Sequence, residues 1–204
     1  GLIHTSIRQF VQQRVGDASW DAISRKIEVT ESDFITMQAY PDELTLRLVG
    51  AGSEAMGLSQ EDFLHDLGIH WVTQTAADYY GPLLEFAGSD VASLLENLNR
   101  MHDQVAISFS NLIQPSFELE TEGEGEFRLH YRSSRSGLSS FVVGLVTGLG
   151  KYFEEPVGIE QIESKLTGAD HDVFWVRIGP GSPSSLSRFR TLYQAGTGQL
   201  RYHR

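Results

Sequence analysis

A histidine set inside an apolar stripe is where this sequence offers the most chemistry. Between residues 90 and 110 the apolar side chains fall at Val91, Leu94, Leu95, Leu98, Met101, Val105 and Ala106. Steps of three and four place them on one face of a helix. His102 lies within that stripe, four residues after Leu98 and three before Val105, so it points to the packed side. Burying an imidazole with neither nitrogen satisfied costs about 1–3 kcal/mol. Two partners answer that need. One is a backbone carbonyl in an ordinary core; the other is a metal ion, for which neutral imidazole is a frequent ligand.

A second group of side chains lies further on. Phe127, Leu129, Tyr131, Ser133 and Arg135 alternate with polar residues, and alternate residues of a strand share a face at steps of about 7 Å. A phenol, a hydroxyl and a guanidinium would then line up beside apolar packing. A buried guanidinium needs an anion, and its planar fork fits a carboxylate through two parallel bonds. The other reading has Arg135 emerging at the strand end to pair with a surface carboxylate; the strand alone favours neither. Trp71 also has two readings: a core aromatic contributing buried area, or an indole N–H facing a ligand.

The elements that must position these residues follow from periodicity. Residues 2–15 and 18–27 read as amphipathic helices separated by Gly16-Asp17, and a third helix runs from Tyr40-Pro41-Asp42 toward Met56. Ser59, with Asp62 three residues on, caps a long and largely apolar helix over residues 60–79. Gly81-Pro82 is expected to close it, with a brief helix over 83–87 before the His102 helix. After Leu112 the period drops to two. Residues 117–121 and 127–135 form a hairpin around the turn at 122–126; a helix covers 140–154, and two more strands lie at 159–166 and 173–178. Helices first, then strand–strand–helix–strand–strand, is an α+β order with an antiparallel sheet.

The bulk properties bound the function. The chain has 204 residues, no cysteine and a net charge of −11. One domain with an appendage suits that length. Without cysteine there is no disulfide framework, thiolate metal site, iron–sulfur cluster or covalent haem attachment. No apolar run reaches the ~20 residues of a membrane span, and no signal peptide is visible, so a cytoplasmic location is expected. The sequence opens at Gly1, so a start residue or more is expected to be missing. The last acidic residue is Asp172; residues 173–204 carry +5 and residues 1–172 therefore −16. So acidic a body argues against nucleic acid as the main ligand. Residues 179–204 are rich in Gly, Ser, Pro, Thr and Arg, with one weak amphipathic signal at Leu186, Phe189, Leu192 and Tyr193. They read as a basic linker or arm, or as a disordered tail.

Tyr131-Arg-Ser133-Ser-Arg135 resembles the Tyr-x-Ser-x-Arg motif of H-NOX domains, the haem nitric oxide/oxygen binding family. The resemblance extends over residues 1–178. It includes Asn97-Leu-Asn-Arg-Met-His102, Gln114-Pro115-Ser-Phe117, Tyr80-Gly81, Ser136-Gly-Leu and Gly144-Leu145, in order, and is nearest to the cyanobacterial and guanylate cyclase branch. It implies a helical N-terminal subdomain packed on a C-terminal antiparallel sheet with one or more helices, and non-covalent haem b between them. By that resemblance His102 would be the axial iron ligand, and Tyr131, Ser133 and Arg135 would hold the haem propionates. Pro115 would press on the porphyrin; Ile3, Trp71, Phe141 and Leu145 would line the gas side.

Oxygen-binding relatives look to place a tyrosine hydroxyl over the gas, where this chain has Phe141. A phenyl ring cannot donate a hydrogen bond. The resemblance thus implies a nitric oxide sensor, with carbon monoxide a second ligand and oxygen disfavoured. Gas bound opposite His102 would weaken the iron–histidine bond, free the His102 helix and shift contacts with an effector. That effector would be a cyclase, a histidine kinase, a diguanylate cyclase or phosphodiesterase, or a fused domain. Two alternatives stand beside it: an oxygen sensor using the Trp71 N–H, and a haem-free module holding an apolar carboxylate. An enzyme is not expected, since no nucleophile–base pair, phosphate loop or paired acid motif stands out.

Overall fold

The computed structural model describes residues 1–30, 34–35, 38, 40–108 and 113–179. The expectations for residues 180–204 lie outside them. Among the described residues the chain opens with the helices α1 (Leu2–Val15), α2 (Asp17–Ile27), α3 (Asp42–Met56) and α4 (Gln60–His70). Their ends follow local chemistry. Gly16, at φ 86°, separates α1 from α2. Asp42 and Glu43 stand in the first turn of α3, where the helix dipole favours negative charge, and Gly57 closes it in the left-handed conformation. Ser59 caps α4 as its sequence suggests, its hydroxyl accepting from the Asp62 N–H at 3.0 Å.

The single helix expected over residues 60–79 is not what forms. α4 stops at His70, the backbone widens into a π-helical segment at Trp71–Ala76, and the chain continues as α5 (Ala77–Ala87). Nor does Gly81-Pro82 end it: α5 runs through the proline with a kink at Tyr80 (φ −136°, ψ 18°). Proline lacks an N–H and its ring crowds the preceding turn, which bends a helix when both flanks stay packed. Here Ala76 on one side and Leu84 and Ala87 on the other are buried.

The His102 helix, α6 (Val91–Ser108), leads into the hairpin β1 (Ser116–Gly123) and β2 (Glu126–Arg132). Then come α7 (Ser139–Tyr152), β3 (Val157–Glu163) and β4 (Asp172–Ile178). All neighbouring strands are antiparallel, in the order β1-β2-β4-β3. Phe117 of β1 stands opposite Tyr131, and Leu129 lies between Leu119 and Phe174.

Two hydrophobic cores result. One joins Val91, Leu94 and Leu95 of α6 to Phe117, Leu129, Tyr131, Phe174 and Val176 of the sheet and Val142 and Val146 of α7. The other gathers α1–α4 around Ile7, Phe10, Trp20, Leu48, Phe63 and Leu67. α4 and α7 connect them by close backbone approach. A Cβ on Gly68 would stand 2.5 Å from the Phe141 carbonyl oxygen and 2.8 Å from the Leu145 nitrogen. Only glycine permits that contact.

Candidate functional site

Leu98 and Met101 of α6 pack against the sheet-side core, so the stripe carrying His102 faces inward as its spacing requires. The His102 ring lies 6.0 Å from that of Phe117, which in turn stands 5.2 Å from that of Tyr131. His102 Nδ1 is buried and has no hydrogen-bond partner among the described residues. Burial holds the imidazole below its ordinary pKa, with the backbone of Pro115 pulling the other way. A neutral ring with a desolvated nitrogen is a ready electron-pair donor. Among the described residues no group of three or more His, Cys, Asp and Glu could chelate an ion. A single imidazole suits a metal that brings most of its own ligands, as iron in a porphyrin does. The residues present fit haem.

Beside its apolar packing, side-chain-to-main-chain hydrogen bonds among the described residues tie α6 to the sheet-side half at Val91 and at Asn99. Glu155, in the turn after α7, accepts from the Val91 N–H at 2.8 Å at the start of the helix. Asn99 grips the main chain of Phe117: its Oδ1 accepts from the Phe117 N–H at 2.8 Å, and its Nδ2 donates to the Phe117 carbonyl. Sequence reading gave Asn99 no role of its own, although an amide one turn before His102, on the edge of the stripe, was a signal that could have found it.

The Tyr131, Ser133 and Arg135 group needs a correction. Tyr131 faces the core as expected, buried beside Phe117 and Leu129. Ser133 and Arg135 do not continue that face, because β2 ends at Arg132 and the chain bends at residues 134–135. The bend folds the motif on itself. Arg135 N–H donates to Ser133 Oγ at 3.1 Å, and Ser133 also hydrogen-bonds the Tyr131 phenol. Burial raises the Tyr131 pKa, keeping the phenol a donor. The Arg135 side chain is partly exposed, and its Nε donates to Asp42 Oδ1 at 2.6 Å and its Nη1 to the Ile113 carbonyl at 3.3 Å. The anion that an interior guanidinium would have required is supplied at the surface by α3. Beside Ser133 opens a cleft of about 300 Å³ lined by Arg132, Lys165, His171 and Asp170, in which Arg132 pairs with Glu118, His171 with Asp170, and Lys165 Nζ donates to the Ser133 carbonyl.

The four expected gas-side residues divide between the cores. Trp71 and Leu145 pack on the sheet side, Ile3 and Phe141 on the N-terminal side. Phe141 and Leu145 sit one turn apart on α7. Trp71 opens the π-helical segment, a widening that often marks functional sites. All four are partly buried.

Known proteins share this fold. Residues 1–161 match the family model described as Haem-NO-binding. An H-NOX protein from S. oneidensis in the Fe(II)NO state shares the fold, with a TM-score of 0.78 at 17% identity, covering 87% of this chain and 97% of that one. The unliganded Fe(II) H-NOX protein from K. algicida gives 0.71 at 22% identity, covering 87% and 95%. Among curated proteins, soluble guanylate cyclase gcy-35 of Caenorhabditis elegans is 29% identical over 171 residues, 81% of this chain and 24% of that protein. Soluble guanylate cyclase 89Db of Drosophila melanogaster is 24% identical over 75% of this chain, again with only 23% of its own length matched. The chain therefore corresponds to a small part of these cyclases. Haem b, bound without a covalent link, is the cofactor of H-NOX domains, and these are sensing rather than catalytic parts. Matched over most of its length, the chain belongs to the Haem-NO-binding family, the H-NOX domains of haem-based gas sensors related to soluble guanylate cyclase.

Proposed function

We propose that residues 1–178 form a nitric oxide sensor in which His102 is the axial ligand of haem iron. The observation carrying this reading is the His102 ring itself: half-buried, held below its ordinary pKa by desolvation, with its buried Nδ1 free of any partner among the described residues. When bound, the haem supplies an iron with an open position for a diatomic gas. Tyr131, Ser133 and Arg135 would hold its propionates, with Lys165 adding positive charge beside Ser133. Pro115, whose backbone lies beside the His102 ring, bears on the porphyrin. Ile3, Trp71, Phe141 and Leu145 shape an apolar gas pocket.

Phe141 offers no hydrogen bond to a polar bound oxygen, which favours nitric oxide over oxygen. Carbon monoxide is a second expected ligand. The oxygen-sensing alternative rests on Trp71, whose half-buried indole opens the π-helical segment. Release of His102 would free α6 to move against β1 and the turn after α7, passing the signal to an effector or fused domain. The cyclase relatives make a nucleotide cyclase one such effector. Residues 179–204 would be the connection, and no helix among the described residues is long and apolar enough to cross a membrane.

Absorption spectra of the ferrous protein, alone, with nitric oxide and in air, test the reading. His102→Gly should lose its axial ligand, and added imidazole should restore the wild-type spectrum. An unchanged spectrum in His102→Gly sinks the ligation, and a stable oxygen complex in air sinks the selectivity.

A further inference from the structure

We propose that Asn99 is the positioning residue that sets how His102 meets its iron. The inference rests on His102 being the axial ligand and goes beyond it. Three residues before His102, Asn99 lies one turn away on nearly the same side of α6. Its side-chain amide takes both main-chain groups of one residue, Phe117. In an antiparallel ladder the N–H and C=O of a residue point to the same side. Since both groups of Phe117 go to Asn99, they face away from β2, and the exposed edge of β1 is closed by a helix side chain.

Two bonds to one residue resist both sliding and rotation of α6, which a single bond would not. The other attachment, Glu155 to the Val91 N–H, lies eight residues earlier in the helix. His102 therefore sits just past the later anchor, about 4.5 Å of helix rise beyond it. The gripped residue is also the one whose ring neighbours both His102 and Tyr131, so the same strand position registers the iron ligand and the propionate-holding phenol. Apolar packing of Val91, Leu94 and Leu95 holds the first half of α6; without the amide, the turns beyond them would lose their fixed register on β1, and the imidazole would take a range of distances from the metal.

Two variants test this in the full chain reconstituted with haem. Asn99→Ala removes both bonds. Asn99→Asp keeps the acceptor for the Phe117 N–H but turns a carboxylate oxygen toward the Phe117 carbonyl. The readouts are the iron–histidine stretching band of the unliganded ferrous protein, by resonance Raman, and deuterium exchange at the Phe117 amide. Asn99→Ala should shift the band to lower frequency and broaden it, and speed exchange at least tenfold; Asn99→Asp should shift the band by a smaller amount. Should Asn99→Ala fail to take up haem, the Asn99→Asp band decides. Faster exchange with an unmoved band in the haem-loaded variants would make Asn99 merely structural and overturn the proposal. His102→Gly separates the two ideas. A band that persists there removes the ligation reading, whereas a band lost there yet unmoved in the Asn99 variants removes only this one.

Discussion

Arg135 and Asp42 join the segment after β2 to the first turn of α3, with Arg135 Nε donating to Asp42 Oδ1 at 2.6 Å. The pair is 93 residues apart in sequence. It also places the guanidinium between α3 and the carbonyl of Ile113, just before Pro115. Asp42 takes one edge of the fork, and Nη2 has no described partner, so the grip on α3 leaves donors for a propionate.

Removing either partner should therefore cost more in haem affinity than in stability. The side chains are 41% and 58% exposed, and ion pairs so exposed stabilise a fold by about 0–1 kcal/mol. A charge-assisted bond to a carboxylate is worth about 1.5–3 kcal/mol. Arg135→Ala should weaken haem retention roughly ten- to a hundredfold while moving the haem-free melting temperature by only a few degrees. Asp42→Asn should have a smaller effect of the same kind. Haem transfer to apomyoglobin and thermal melts measure the two quantities; equal losses in both would contradict this assignment.

Gly144 tests the junction of the cores. A Cβ there would run into the His65 carbonyl oxygen and stand 3.0 Å from the Gly68 Cα, and both obstacles are backbone. Forcing them apart should cost about 1–3 kcal/mol, or roughly 2–10 °C in melting temperature for Gly144→Ala. Gly50→Ala, inside α3, is the control. A Cβ there meets only the end of the Gln60 side chain at 3.7 Å, an ordinary contact, and in a helix the change should be neutral or stabilising by about 0.4–1 kcal/mol. Equal melting temperatures for the two variants would refute the close crossing of α4 and α7.

Much of this architecture is legible in residue spacing, and the exceptions have physical causes. α6 is visible because its stripe is unbroken, and the hairpin because its period is strictly two. The α4–α5 region misleads because apolar residues surround that helix, and neither a π-helical widening nor a tolerated proline alters composition. His102 can be singled out as an inward imidazole, but the lack of a partner on its Nδ1 is a property of the packing. Arg135 illustrates the reverse. Strand alternation would carry it inward, and the bend after Arg132 takes it to Asp42, a residue whose place in a first helical turn reveals nothing of its partner. Asn99 is hidden for a similar reason: an amide in a helix signals no grip until the strand beside it is known.

Acid should loosen the N-terminal helical half. His4 is buried, its Nε2 lies 2.9 Å from Thr45 Oγ1, and the rings of Phe34 and Tyr40 pack on it. Burial lowers its pKa to about 4, against ~6.5 in an unfolded chain. As pH falls below ~6.5 the unfolded state takes the proton first. Stability is thus complete above ~6.5, drains as pH falls toward about 4 and is flat below. The loss amounts to at most about 3 kcal/mol. Buried His70 is lowered in the same direction. Denaturant midpoints at neutral and acid pH, for wild type and His4→Gln, should converge as pH falls; parallel curves would remove His4 as the source.

The gas preference turns on what Phe141 lacks. α7 presents Phe141 to the N-terminal core and Leu145, one turn on, to the sheet-side core, so a substitution at Phe141 alters only one side of that junction. Phe141→Tyr adds a hydroxyl without disturbing the backbone contact to Gly68. If the ring faces the gas, the new donor should strengthen oxygen binding by about 0.5–1.5 kcal/mol, up to roughly tenfold in affinity. Nitric oxide binding should change far less. Trp71→Phe supplies the opposing arm, because the indole is the other donor assigned to this pocket. Oxygen affinity that ignores Phe141→Tyr and collapses in Trp71→Phe would assign selectivity to the indole and make the domain an oxygen sensor.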